Sequence, residues 1–287
     1  MKGIVLAGGT GSRLWPATRV VSKQLLPIFD KPLIYYPLAT LMLAGIREIL
    51  IITTPQDQDD FKELLGDGEK FGIQIVYEIQ DSPKGLAQAL IIAEKFLAGE
   101  TSMLILGDNI FHGVGLGREL QKLVDRDGCN IFTFEVADPS QYGILNIDVD
   151  GRPVSVVEKP LASNSRLAIT GLYVFDQEGP SIAREVKPSK RGELEITSVI
   201  EKYLMNNTLT VTQLSRGTVW LDTGTPSAMN DASNYIRLVE ERSGFKIGCL
   251  EEIALNRGWI TRITLEPQLL DGKSNNYYNY LRNLINN

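Results

Sequence analysis

Over roughly its first hundred residues the chain repeats one unit: a short apolar run, a punctuated loop, then an amphipathic stretch of helical period. Short continuous apolar runs suit strands buried on both faces, and strands rejoined through helices pair in parallel. Lys2 to Leu6 is the first such strand, and Leu33 to Ala44 has helical periodicity ended by Gly45 as a C-terminal cap. Glu48 to Thr53 and Ile73 to Glu78 follow as strands, Gly85 to Leu97 as a helix, and Ser102 to Leu106 as a strand running into Gly107-Asp108-Asn109. Open α/β sheets keep their sites at such strand ends.

From Asn130 the pattern changes to strands separated by turns: Ile131 to Val136, Gly143 to Asp148, Val154 to Glu158 and Gly171 to Phe175. Antiparallel additions to the sheet are expected there. Helical periodicity returns at Ile196 to Leu204, and after Pro226 in Ser227 to Arg242, Leu250 to Asn256 and Asn275 to Leu284. The expected fold is a three-layer α/β core with a mixed, mainly parallel sheet over residues 1–225, carrying a helical extension over 226–287. With 287 residues, 43% of them hydrophobic, the chain can bury a core of that size.

Several function classes are excluded early. The formal charge of −6 argues against general nucleic-acid binding, which needs many phosphate-neutralising cations. No apolar run approaches the roughly 20 residues that span a bilayer, and the N-terminus lacks the long apolar region of a signal peptide. Cys129 and Cys249 have no metal-ligand spacing, and His112, the only histidine, is expected in a loop or interface without a catalytic role. A cytoplasmic protein is expected.

The sharpest chemical feature is Leu6-Ala7-Gly8-Gly9-Thr10-Gly11-Ser12-Arg13-Leu14, directly after the first strand. Glycines let backbone amides turn toward an anion, and Arg13 adds a planar charged donor. Neither a P-loop nor a dinucleotide fingerprint can be laid on it, because Leu14 stands where a third glycine belongs and Asp30 lies in a turn. This weakens a nicotinamide-dependent oxidoreductase as an alternative.

The loop is followed by Ser22-Lys23-Gln24-Leu25-Leu26-Pro27 and Lys31-Pro32-Leu33-Ile34-Tyr35-Tyr36-Pro37. Then come Glu78-Ile79-Gln80-Asp81-Ser82-Pro83-Lys84-Gly85, Gly107-Asp108-Asn109, Tyr142-Gly143, Glu158-Lys159-Pro160, Thr170-Gly171-Leu172-Tyr173, Arg191-Gly192-Glu193-Leu194-Glu195 and Trp220-Leu221-Asp222-Thr223-Gly224-Thr225. In this order, across essentially the whole chain, the blocks resemble the sugar-1-phosphate nucleotidyltransferases, and the short thymidylyltransferases among them. The resemblance implies a Rossmann-like nucleotidyltransferase core and Mg²⁺-dependent in-line transfer from dTTP to glucose 1-phosphate.

By the same resemblance, Leu6, Gly8, Gly9, Thr10, Gly11, Arg13, Lys23, Gln24, Gln80, Gly85 and Asp108 would bind the nucleotide, with Gln80 and Gly85 at the base edge. Asn109, Tyr142, Gly143, Glu158, Lys159, Tyr173 and Arg191 would hold the sugar phosphate, and Asp108 with Asp222 the metal. Arg13, Lys23, Asp108, Lys159, Arg191 and Asp222 form the expected catalytic set. Arg216, Gly217, Glu252, Ile253 and Arg257 would form a second, regulatory nucleotide site in a homotetramer inhibited by a product such as dTDP-rhamnose. A uridylyltransferase of the same family and a noncatalytic nucleotide-sugar sensor are the alternatives. The presence of Lys23, Asp108, Lys159 and Asp222 disfavours the sensor.

Overall fold

The computed structural model describes residues 1–123, 126–269 and 275–286. Its strands are β1 (Lys2–Ala7), β2 (Pro27–Ile28), β3 (Lys31–Pro32), β4 (Glu48–Thr53), β5 (Gln74–Ile79), β6 (Ser102–Leu106) and β7 (Asn109–His112). They continue with β8 (Cys129–Glu135), β9 (Gly143–Ile147), β10 (Pro153–Glu158), β11 (Leu167–Phe175), β12 (Leu209–Gln213) and β13 (Val219–Asp222). The main sheet runs β10-β9-β11-β6-β1-β4-β5, with β8 also on β11 and β12 on β8. Pairing is parallel among β6, β1, β4 and β5, as the alternation of strands and helices predicts. It turns antiparallel where β11 meets β6, β8 and β9.

The apolar runs fill both faces of the sheet because successive side chains point opposite ways. Val5, Ile49, Ile51, Met103 and Ile105 pack on the helix Tyr35–Leu43, while Ile4, Leu6, Leu50, Ile52 and Leu104 face the helices Gln88–Leu97 and Ile196–Met205. Three layers result.

Some boundaries differ from expectation for physical reasons. The helix expected from Gly85 starts only at Gln88, because Gly85 adopts φ +110°. That conformation is incompatible with a right-handed helix. The strand expected from Gly171 begins at Leu167. Its pairing with β8 shifts register between Ile169 and Tyr173, so Gly171 is internal. Asn109–His112 and Val219–Asp222 form a separate two-stranded ribbon in which Asp222 lies opposite Asn109. His112 is therefore in a strand, with Nδ1 2.7 Å from the Tyr235 hydroxyl.

After β13 the helix Pro226–Ser243 starts at Thr225, whose side chain accepts from the Ala228 N–H, and stops at Gly244 with φ +75°. Leu250, Ala254, Leu265 and Leu281 from the C-terminal segment join the same apolar cluster as the helix Tyr35–Leu43. A mostly buried ion quartet fastens this segment to the β2–β3 hairpin. Lys31 Nζ lies 2.6 Å from Asp30 and 2.9 Å from Glu240, and Lys246 pairs with both carboxylates.

Candidate active site

The turn after β1 needs its glycines. Gly9 and Gly11 adopt φ +101° and +57°, and a Cβ at Gly8 would stand 2.5 Å from Gln80 Oε1. A cavity of about 420 Å³ opens over this turn, and all the expected nucleotide-binding residues line it: Leu6, Gly8, Gly9, Thr10, Gly11, Arg13, Lys23, Gln24, Gln80, Gly85 and Asp108. Gln80 is held in place because its Nε2 donates to Gln88 Oε1 at 2.8 Å. Gly85 answers to a protein contact: a Cβ there would fall 2.4 Å from the Leu194 carbonyl oxygen.

A second cavity of about 730 Å³ adjoins the first and is walled by Asn109, Tyr142, Gly143, Glu158, Lys159, Tyr173, Arg191 and Asp222. Thus the residues expected on the sugar-phosphate side also converge. Arg13, Leu86, Asp108, Glu193 and Gly224 line both cavities and mark their junction.

The junction concentrates charge. Lys23 Nζ is 2.6 Å from Asp108 Oδ2. The ribbon of β7 and β13 brings Asp222 beside Asp108, and burial together with the Asp108 charge pushes the Asp222 carboxyl above its ordinary value. Lys23 and Arg13 pull it back in part. A Cβ on Gly224 would lie 3.2 Å from Arg13 Nη1, Arg13 Nη2 and Asp222 Oδ1, a tight approach that brings both side chains close to the backbone there. Two carboxylates forced together beside open space suit a hard divalent cation that takes its other oxygens from phosphate and water. Among the described residues no cluster of three or more His, Cys, Asp or Glu could hold a metal by itself.

Arg191 is caged by carboxylates. Its Nε lies 3.1 Å from Glu195 Oε1, and its Nη2 reaches Glu195 at 2.9 Å, Glu193 at 3.1 Å and Glu158 at 3.2 Å. Ser189 Oγ donates to Glu195 at 2.6 Å, and the hydrogen bonds that Arg191 donates to Glu195 hold the guanidinium above its usual range. Burial and the neighbouring Glu195 charge raise the Glu158 carboxyl. Lys159 stands 3.8 Å from Glu158 on a backbone with φ +40°. Glu193, Glu195, Thr197 and Trp220 line the larger cavity without having been singled out from the sequence. The acid alternation Glu193-x-Glu195 just after Arg191 is the signal that could have found the cage.

The expected regulatory residues gather less completely. Glu252 and Ile253 line a third cavity of about 330 Å³ with Tyr36, Leu43, His112 and Lys246. Arg257 donates to the Leu43 carbonyl beside it. Arg216 and Gly217 do not line that cavity; they lie in the turn from Ser215 to Thr218, which packs on the cavity residue Gly113.

Residues 2–238 match the family described as nucleotidyl transferase. The chain is 47% identical over 286 residues to a glucose-1-phosphate thymidylyltransferase of Neisseria meningitidis, with 99% of each chain covered. It is 49% identical over 285 residues to one of Mycolicibacterium smegmatis, at the same coverage. Among solved structures it is similar to a Bacillus anthracis protein described as a glucose-1-phosphate thymidylyltransferase in complex with sucrose. The TM-score is 0.76 at 38% identity, covering 83% of this chain and 95% of that one. A UDP-glucose pyrophosphorylase complexed with UDP-glucose shares the fold at TM-score 0.74 and 24% identity, covering 83% and 98%. Glycine turn, paired aspartates and near full-length similarity agree: the chain belongs to the nucleotidyl transferase family, in the branch of the glucose-1-phosphate thymidylyltransferases.

Proposed function

We propose that the chain transfers a thymidylyl group from dTTP to glucose 1-phosphate, releasing pyrophosphate and forming dTDP-glucose. The observation that carries this is the junction of the two cavities, where Arg13, Lys23, Asp108 and Asp222 converge between a glycine-lined pocket and a pocket walled by carboxylates with Lys159 and Arg191 set among them. A phosphate oxygen of the sugar phosphate attacks the α-phosphorus, and the bond to the pyrophosphate oxygen breaks in line. No protein nucleophile is required; the residues align two polyanions and absorb developing charge. Arg13 and Lys23 face the triphosphate, while Arg191 and Lys159 receive the sugar phosphate, which takes over from the carboxylates that cage Arg191. Tyr142, Gly143, Glu158 and Tyr173 border the sugar, and Gln80 with Gly85 the base. Mg²⁺ held by Asp108 and Asp222 would supply Lewis-acid charge at the α-phosphate.

The same reading makes the protein a cytoplasmic homotetramer inhibited by dTDP-rhamnose, with Glu252, Ile253, Arg257, Arg216 and Gly217 at the regulatory site. In support, no helix among the described residues is long and apolar enough to cross a membrane. Pyrophosphate release tests the reaction. dTTP with glucose 1-phosphate should give the highest kcat/KM, UTP a usable rate, and ATP and GTP poor rates, since a missing methyl is worth only about 1 to 3 kcal/mol in a pocket. A preference for ATP would sink the thymidylyl reading.

A further inference from the structure

Asn109 borders the sugar-side cavity, yet it is only 2% exposed and its amide is almost fully engaged by the protein. Its Oδ1 accepts from the Trp220 indole N–H at 2.6 Å and from the Gly171 backbone N–H at 3.2 Å. Its Nδ2 donates to Asp108 Oδ1 at 2.8 Å. Lys23 Nζ takes the other oxygen of Asp108 at 2.6 Å. Both carboxylate oxygens are therefore gripped, one by an amide and one by an ammonium.

The amide has one workable orientation, because flipping it would set its NH₂ against two N–H donors. Gly171 makes the arrangement possible: it sits where β11 shifts register against β8, and a Cβ there would come within 2.6 Å of Asn109 Oδ1. Trp220 is itself fixed, with its ring 5.0 Å from Tyr142 and 5.9 Å from Phe134 between centroids. We propose that Asn109 and Trp220 are positioning residues for Asp108: the buried chain Trp220 to Asn109 to Asp108 fixes the carboxylate's rotation before a cation arrives. Groups that orient a metal-binding carboxylate in this way typically contribute 10- to 100-fold to metal affinity. The inference rests on the reading of Asp108 as a metal-binding residue.

Mn²⁺ binding to the whole protein with dTTP and no sugar phosphate, followed by electron paramagnetic resonance, tests it. Trp220→Phe keeps an aromatic ring but removes the pyrrole part of the indole with its N–H; it should weaken Mn²⁺ binding by about 10-fold, and Asn109→Leu by about 10- to 100-fold. Because Trp220 also lines the sugar-side cavity, the loss of Mn²⁺ affinity in Trp220→Phe should exceed any rise in the KM for glucose 1-phosphate, as expected when the effect runs through Asn109 and Asp108. Parent-like Mn²⁺ affinity in a folded Trp220→Phe, or a raised KM for glucose 1-phosphate with unchanged Mn²⁺ affinity, overturns the proposal. Asp108→Asn separates the two readings. If it alone loses Mn²⁺, Asp108 is the ligand and the positioning chain is wrong; if it binds Mn²⁺ like the parent, the metal assignment itself falls.

Discussion

Asp222 is a residue whose placement is costly to the fold, a cost that the proposed cation would offset. Its carboxyl is pushed up by burial and by the neighbouring Asp108, an unfavourable pairing that a cation would relieve. Asp222→Asn keeps the shape and removes that charge, and kcat at saturating Mg²⁺ and both substrates should fall at least about 100-fold. Parent-like turnover would mean that no catalytic cation depends on this residue. Asp108 and Asp222 stand out in the sequence only through the family resemblance, because an isolated aspartate beside a glycine reads as an ordinary turn residue. What a sequence cannot display is which partner each side chain chooses. Asn109 reads as a polar residue beside an acid and a candidate sugar contact, whereas in the fold its oxygen is committed to Trp220 and Gly171, Trp220 being 111 positions away.

At the scale of elements, the strands that proved easiest to read are those buried on both faces, since their apolar runs leave no other solution. β7, β12 and β13 escaped detection because they are only four or five residues long, too short for a periodicity to develop, although β7 is largely buried. Yet β7 and β13 are the ribbon that brings the two aspartates together. Gly85 shows the same limit. Its place in the Pro83-Lys84-Gly85 turn is visible, and approach to a base is a reasonable expectation, but the structure adds a closer constraint from the Leu194 backbone. Gly85→Ala should therefore cost about 2 kcal/mol or more in chemical denaturation, combining a strained φ with a backbone clash. Gly45→Ala, at φ +92° with open space around it, should cost only about 1 kcal/mol. Equal losses at the two sites would show that the Leu194 contact relaxes freely.

Across the whole molecule, the C-terminal segment is bound to the catalytic half by buried polar chemistry as well as by apolar packing. The helix Leu250–Asn256 buries Glu251, whose Oε2 accepts from the Tyr277 hydroxyl of the last helix at 2.5 Å. Burial pushes the Glu251 carboxyl above its ordinary value, and the Tyr277 hydrogen bond only partly opposes this. The sign of the linkage follows. An acid whose folded pKa is raised contributes stability that is full below its unfolded pKa and is lost as pH rises through the folded one. Above its raised folded pKa Glu251 is therefore a buried charge that the fold tolerates at a cost. Glu251→Gln retains an acceptor for Tyr277 and removes the charge. Its melting midpoint should exceed the parent's by about 2 °C or more at pH 8, and the gap should shrink as pH falls toward the ordinary carboxylate range, where Glu251 carries its own proton. A midpoint difference that stays constant from pH 8 to pH 5 would assign the effect to packing and not to charge. The opposite sign at pH 8 would mean that the carboxylate's hydrogen bond from Tyr277 outweighs its burial.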